Sequence, residues 1–147
     1  MKLSNRKTPY LIDSSVLVKW FVEEQDSNSA IRIRNDSVAG KIDIATAELA
    51  YYELANALRN SRVLSESDVH RAVEAVRAER ILVMPFDLGG LHVAIENAFE
   101  YGLSLYDAYF VALADLEGMR LVTADKQLAA KVQGRGDVVT LSDYSAQ

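Results

Sequence analysis

Four carboxylates stand out in this chain by where they fall: Asp13, Glu53, Asp107 and Asp125. Acids of this kind, grouped in space, could hold a hard divalent cation, which prefers oxygen ligands and keeps several of its own waters. Such an ion activates water and polarises phosphoryl oxygens. Asp13 follows the apolar run Tyr10-Leu-Ile directly and precedes Ser14-Ser15. That places it at the carboxyl end of a strand, the edge where open α/β sheets bind ligands. A helix N-cap explains the same residue equally well, since Asp and Ser are favoured just before a helix. Asp125 repeats the arrangement after Leu121-Val-Thr-Ala, again with an N-cap as the alternative. Glu53 lies inside a helical pattern and shares a face with Asn56, Ala57 and Asn60. A solvated polar stripe is the better account of an isolated Glu there. Asp107 aligns with Phe110, Val111 and Ala114, so its charge falls on a stripe that should face the core. A charge there is costly unless it is paired or metal-bound. The competing account is a capping box, Ser104-Leu-Tyr-Asp107, with Asp107 reaching back to a backbone N–H.

The elements that must position these acids alternate along the chain as short apolar runs and helical patterns, which is the order of an α/β fold with a parallel sheet. Strands are expected at Tyr10-Leu-Ile, Asp43-Ile-Ala, Ile81-Leu-Val-Met, Leu121-Val-Thr and Val138-Val-Thr-Leu. Helices are expected near Ser15 to Val22, Ser27 to Ser37, Ala47 to Arg62, Glu66 to Glu79, Leu88 to Tyr101, Tyr106 to Leu116 and Lys126 to Val132. Ser65-Glu-Ser-Asp68 reads as a capping box opening the fourth, and Gly102 and Gly118 as terminators of the fifth and sixth. The 147 residues suit one domain spanning the chain, with residues 1–8 and 144–147 as loose tails.

Composition removes several chemistries. With no cysteine there is no disulfide framework, thiolate zinc site or thiol nucleophile. The net charge of −5 opposes nucleic-acid binding through bulk positive charge, so any such contact needs cations and locally grouped bases. Lys19, Arg59, Arg62 and Lys126 lie near the acids in sequence and are candidates for phosphate contacts. His70 and His92 have no partner at ligand or triad spacing, and Ser14 and Ser15 have no accompanying histidine base, so nucleophilic catalysis is not indicated. The run from Tyr10 to Val22 is broken by Asp13 and Lys19, so neither a signal peptide nor a membrane span is expected, and the site of action is expected to be cytoplasmic.

Ile12-Asp13-Ser-Ser-Val-Leu-Val-Lys-Trp-Phe21, Glu53-Leu-Ala-Asn-Ala-Leu58, Leu105-Tyr-Asp107-Ala-Tyr-Phe-Val-Ala-Leu-Ala114 and Leu121-Val-Thr-Ala-Asp125-Lys-Gln-Leu128 together resemble the ordered motifs of PIN domains, in particular the VapC-like toxins. Each motif is weak alone; four in order make a strong signal. The resemblance implies a three-layer α/β/α sandwich around a short parallel sheet. It also implies Mg2+- or Mn2+-dependent hydrolysis of RNA phosphodiester bonds. Asp13, Glu53, Asp107 and Asp125 match the family's acidic quartet, as catalytic and metal-binding groups, and Ser15 and Thr123 match supporting hydroxyls. A cognate antitoxin and a homodimer are the partners it implies. A noncatalytic PIN-like module that binds RNA or protein is the alternative reading, because fold does not fix function. A receiver-like domain would need an acceptor Asp after the third strand, for which only Asp87 offers itself, and a Lys near the fifth, where Ser142 and Asp143 stand instead.

Overall fold

The computed structural model describes residues 9–134 and 137–145. Five strands, β1 (Pro9–Ile12), β2 (Asp43–Ala47), β3 (Leu82–Met84), β4 (Arg120–Thr123) and β5 (Val138–Thr140), form one sheet in the order β3-β2-β1-β4-β5. Every neighbouring pair is parallel. Among the described residues, eight helices connect or follow them: α1 (Ser14–Val18), α2 (Ser27–Val38), α3 (Leu49–Asn60), α4 (Glu66–Ala78), α5 (Leu88–Tyr101), α6 (Leu105–Glu117), α7 (Lys126–Lys131) and α8 (Leu141–Ser145). Helices cover both sides of the sheet, the three-layer arrangement the motifs imply. The chain winds outward from β1 to β3 in one direction and from β4 to β5 in the other. Its switch point therefore falls between β1 and β4, where an open α/β sheet leaves a crevice at the strand ends.

A sheet covered on both faces needs strands without polar alternation. Leu11, Ile12, Leu121 and Val122 are fully buried, and each large aliphatic side chain so buried contributes about 1.5–3 kcal/mol. Helix α6 runs through the core, with every residue from Ala108 to Ala114 buried. It can carry a charge only at its ends, and Asp107 sits on its first turn. Helix α3 buries Ala50, Leu54 and Leu58 in a four-residue rhythm, and Glu53 flanks that stripe.

Local signals explain most boundaries. Ser65 and Asp68 form the reciprocal capping box that opens α4, and Gly102 and Gly118 take left-handed φ values of 65° and 64° at the ends of α5 and α6. Three departures from expectation have physical causes. Helix α1 is shorter than Ser15 to Val22 because the chain beyond Val18 closes into tight i to i+3 turns, Lys19 N–H to Val16 and Trp20 N–H to Leu17. Ala47, expected to start α3, instead completes β2, pairing with Met84. Leu141 opens α8 rather than ending β5. Of the expected tails, residues 1–8 and 146–147 lie outside the described residues. Tyr144 is only 6% exposed, stacks edge-on against Tyr10 and donates a 2.7 Å hydrogen bond to Asp36, so the chain at that point is tied to α2.

Candidate active site

The register of the sheet brings the first two acids together. Ile12 pairs with Val122, so the next residues along each strand direction, Asp13 and Thr123, meet at the carboxyl edge. The Thr123 hydroxyl donates to Asp13 Oδ2 at 2.6 Å, and both side chains are buried. Ser15 completes the support: its backbone N–H donates to Asp13 Oδ1 at 3.1 Å, its hydroxyl donates to the same oxygen, and that hydroxyl accepts from Ala124 N–H at 2.9 Å. Thr123 Oγ1 also accepts from Asp125 N–H at 3.1 Å. Two hydroxyls thus stitch the loop after β1 to the loop after β4. Asp125 caps α7 through Gln127 and Leu128 N–H at 2.9 and 3.1 Å, and Asp13 caps α1 through Ser15. Capping and clustering are both satisfied at these two positions; each carboxylate has a second oxygen or lone pairs beyond the cap.

The other two acids approach from helices. Glu53 is half-buried, and its Oε1 is enclosed with no hydrogen-bond partner among the described residues. Such an orphaned acceptor is costly and calls for an explanation. Asp107 N–H donates to the Ser104 hydroxyl at 3.1 Å, the forward half of a capping box, but the return bond that Asp68 makes to Ser65 has no counterpart in α6. The Asp107 carboxylate therefore does not close a capping box.

Electrostatics tie the four together. Burial pushes Asp13 up to about 6, against the opposing pull of its bonds from Ser15 and Thr123, and the charge of Asp107 adds to the rise. Glu53 is pushed up to about 7 by burial first, then by Asp13 and Asp107, while a bond from Ser14 works in the other direction. Asp107 is raised by burial and by Asp125, with the Ser104 hydroxyl and the Lys131 ammonium opposing. Like charges that disfavour one another's ionisation mark a shared neighbourhood. Among the described residues no three acid or imidazole groups are drawn together as a ready-made ion cage.

Three residues around this cluster were not singled out as supports from sequence: Ser14 on Glu53, Ser104 on Asp107, and Lys131, whose ammonium also donates to Gly102 C=O at 3.0 Å. Ser14 adjoins a flagged acid and was legible in principle; Lys131 reaches across from another helix and was not. Among the candidate phosphate contacts, Lys19 is held by Glu24 at 2.9 Å and by Gln25 C=O at 2.7 Å, with its side chain only 11% exposed, so it is committed to the loop after α1. Arg59, Arg62 and Lys126 are exposed. Arg62 holds a left-handed φ of 62° just beyond α3, and Lys126 stands next to Asp125.

The family model for the PIN domain matches residues 10–133. The chain belongs to the PIN-domain family. It is 32% identical over 125 residues to Ribonuclease VapC3 of Pyrobaculum aerophilum, covering 82% of this chain and 92% of that protein. It is 33% identical over 98 residues to Exonuclease VapC9 of the same organism, covering 67% of this chain and 74% of that one. The crystal structure of PAE2754 from P. aerophilum superposes with a TM-score of 0.67 at 25% identity, covering 98% of this chain and all of that one (100%). VapBC2 from Rickettsia felis, solved bound to a DNA fragment from its promoter, shares the fold with a TM-score of 0.67 at 15% identity, covering 90% and 98% of the two chains.

Proposed function

We propose that this chain is a single-domain, metal-dependent endoribonuclease and the toxin of a toxin–antitoxin pair. The observation that carries the reading is the raised acid cluster with the buried, unpartnered Oε1 of Glu53 at its edge. A set of carboxylates held above their ordinary range, with only the Lys131 ammonium opposing that rise at Asp107, favours the entry of further positive charge. An all-oxygen donor set fits Mg2+ or Mn2+. Asp13, Glu53, Asp107 and Asp125 would hold the ion, which when bound supplies an acidified water and neutralises charge at the phosphate.

The chain's own residues do the positioning. Ser15 and Thr123 fix Asp13, so the carboxylate enters the reaction without losing rotamer freedom there. Thr123 holds the backbone of Asp125 at the same time, which makes the two strand-end acids one rigid unit. Ser14 and Ser104 orient the two helical acids. Arg59, Arg62 and Lys126, all exposed, would meet RNA phosphates, a local grouping of bases that answers the acidic balance of the whole chain. The names of the relatives, a ribonuclease and an exonuclease, support nuclease chemistry. Neighbours solved as toxin–antitoxin complexes, one from Klebsiella pneumoniae among them, support an antitoxin partner, whose basic segment would be drawn to the acids. Ile95 and Phe99, one turn apart on α5 and 40% and 89% exposed, offer a face for a homodimer. We place the action in the cytoplasm, where cellular RNA is the substrate.

The test is cleavage of internally and end-labelled RNA by the purified chain with Mg2+ or Mn2+, with chelator, and by Asp13→Asn. Internal cuts that require the metal and vanish in the variant are expected. Cleavage that persists in the variant or in chelator overturns the site, and RNA binding without cleavage supports the noncatalytic module instead.

A further inference from the structure

Beside the acid cluster, on the far flank of α7, lies a cavity of about 380 Å3 between that helix and β5. This is within the size range of small-ligand sites. Its lining is mixed: Ala129 and Val138 supply apolar surface, while Lys126, Gln133, Thr140 and Asp143 supply polar groups. Two features join it to the acids. Lys126 follows Asp125 directly, and Thr140 pairs in register with Thr123, the residue whose hydroxyl holds Asp13. Neighbouring strands lie about 4.8 Å apart, so Thr140 stands one strand from the acid site at the same edge of the sheet.

We propose that this cavity is a subsite for a nucleotide flanking the scissile phosphate, and that it favours a base carrying an exocyclic amine. The proposal rests on the nuclease reading above and deepens it. Charge assigns the roles. A phosphate avoids Asp143 and is drawn to Lys126, whose ammonium makes no hydrogen bond or ion pair among the described residues. The base must then face Asp143, an acceptor that suits the N4 amine of cytosine and gives nothing to the O4 carbonyl of uracil. Thr140 is held near Asp143: its hydroxyl accepts from Asp143 N–H at 3.3 Å and lies 3.1 Å from the Ser142 hydroxyl. That short turn fixes Asp143 relative to the end of β5. Ala129 and Val138 offer the base an apolar surface, and Gln133 adds a second polar group at the other end of α7.

The experiment is a two-dimensional NMR titration of the full chain with cytidine and uridine monophosphates, read without any cleavage step. Cytidine monophosphate is expected to shift the backbone resonances of Gln133, Thr140 and Asp143 and to bind about fivefold or more tightly than the uridine form, the low end of one base-edge contact. Asp143→Asn should erase that preference. For a longer oligoribonucleotide, Lys126→Ala should reduce the slope of log affinity against log salt by about 0.7, the signature of one lost phosphate contact on a single strand, which a merely structural lysine would not give. Shifts absent from the cavity, equal affinity for the two nucleotides, or an unchanged salt slope would each overturn the subsite. A chain that cuts RNA but fails these readings loses the subsite alone. A chain that passes them yet cuts no RNA loses the nuclease reading, and with it the flanking role, and keeps only a cavity that binds a nucleotide.

Discussion

The same four-residue pattern, Ser-x-x-Asp at the start of a helix, occurs at Ser65–Asp68 and at Ser104–Asp107, and the two copies end in opposite electrostatic states. In α4 the box closes on both sides, Arg71 adds a salt bridge at 2.6 Å, and the Asp68 carboxyl is held below its ordinary range by its backbone bond to Ser65 and by Arg71. In α6 only the serine half forms, and burial together with Asp125 holds Asp107 above its ordinary range. Helix α4 has one face in solvent, so its first-turn acid can serve the helix end. Helix α6 buries every residue from Ala108 to Ala114, and its first-turn acid sits half-buried at the start of that stretch, in the field of Asp125. A capping signature therefore tells where a helix starts and leaves open what the acid does; burial of the helix behind it decides.

The largest expected difference between the two is in activity. Asp107→Asn should lower metal-dependent RNA cleavage by on the order of a hundredfold or more, since losing even an outer partner of a metal site costs about 10–100-fold. The fold should survive, because the change removes a charge that its neighbours disfavour. Asp68→Asn should cut RNA like the parent and melt at a modestly lower temperature as the return half of its capping box weakens. A cleavage assay and a melting curve on each purified variant read both outcomes; an active Asp107→Asn would make α6 a second α4.

A smaller contrast appears in pH dependence. Asp13 and Glu53 have folded values of about 6 and about 7, above the 3.8 and 4.5 of the free groups, so the folded form binds protons more tightly than the unfolded one. Their contribution to stability is full below about pH 4 and is lost as pH rises through 6 and 7. Melting temperature of the metal-free protein should therefore fall across that window, and Mg2+ should restore it at the upper end by binding only the folded form. Glu53→Gln should flatten the fall. Asp68 has the opposite sign: its depressed value adds stability that is lost only as pH drops into the acid range. A melting temperature that rises from pH 5 to 7 in the absence of metal would mean that burial and neighbouring charge do not hold Asp13 and Glu53 above their ordinary range.

The smallest contrast is between the two serines. Ser65→Ala and Ser104→Ala should each cost about 1 kcal/mol, the usual value of a lost N-cap. Only Ser104→Ala should also weaken cleavage, because its hydroxyl sits on Asp107. Equal effects on activity would return Ser104 to a purely structural role.

Much of the site could be read from sequence because its parts lie at element boundaries, where local chemistry is strong. Asp13 and Asp125 follow apolar strands, and their place at the strand edge follows from parallel topology alone. The strand order that sets β1 beside β4 is a tertiary fact that neither spacing nor the motifs gave. Glu53 was ambiguous for the same reason, since only the packed fold separates a solvated stripe from a buried, unpartnered oxygen. Lys131 was out of reach because its contacts, to Gly102 and Asp107, span distant positions. Lys19 misled in the other direction: close to Asp13 in sequence, it turns to Glu24 and Gln25. Helix α8 escaped notice because its five residues are too few to show a helical period, and it is held by Tyr144 on Tyr10 and Asp36.

The central claim is that the acids of α3, α6 and the two strand ends share a cation, and direct Mn2+ binding followed by electron paramagnetic resonance tests it without reference to any substrate. The parent chain and Asp68→Asn should bind Mn2+ alike. Glu53→Gln and Asp107→Asn should each bind it at least about tenfold more weakly. Equal Mn2+ affinity in all four proteins, or no binding to the parent, would contradict the account.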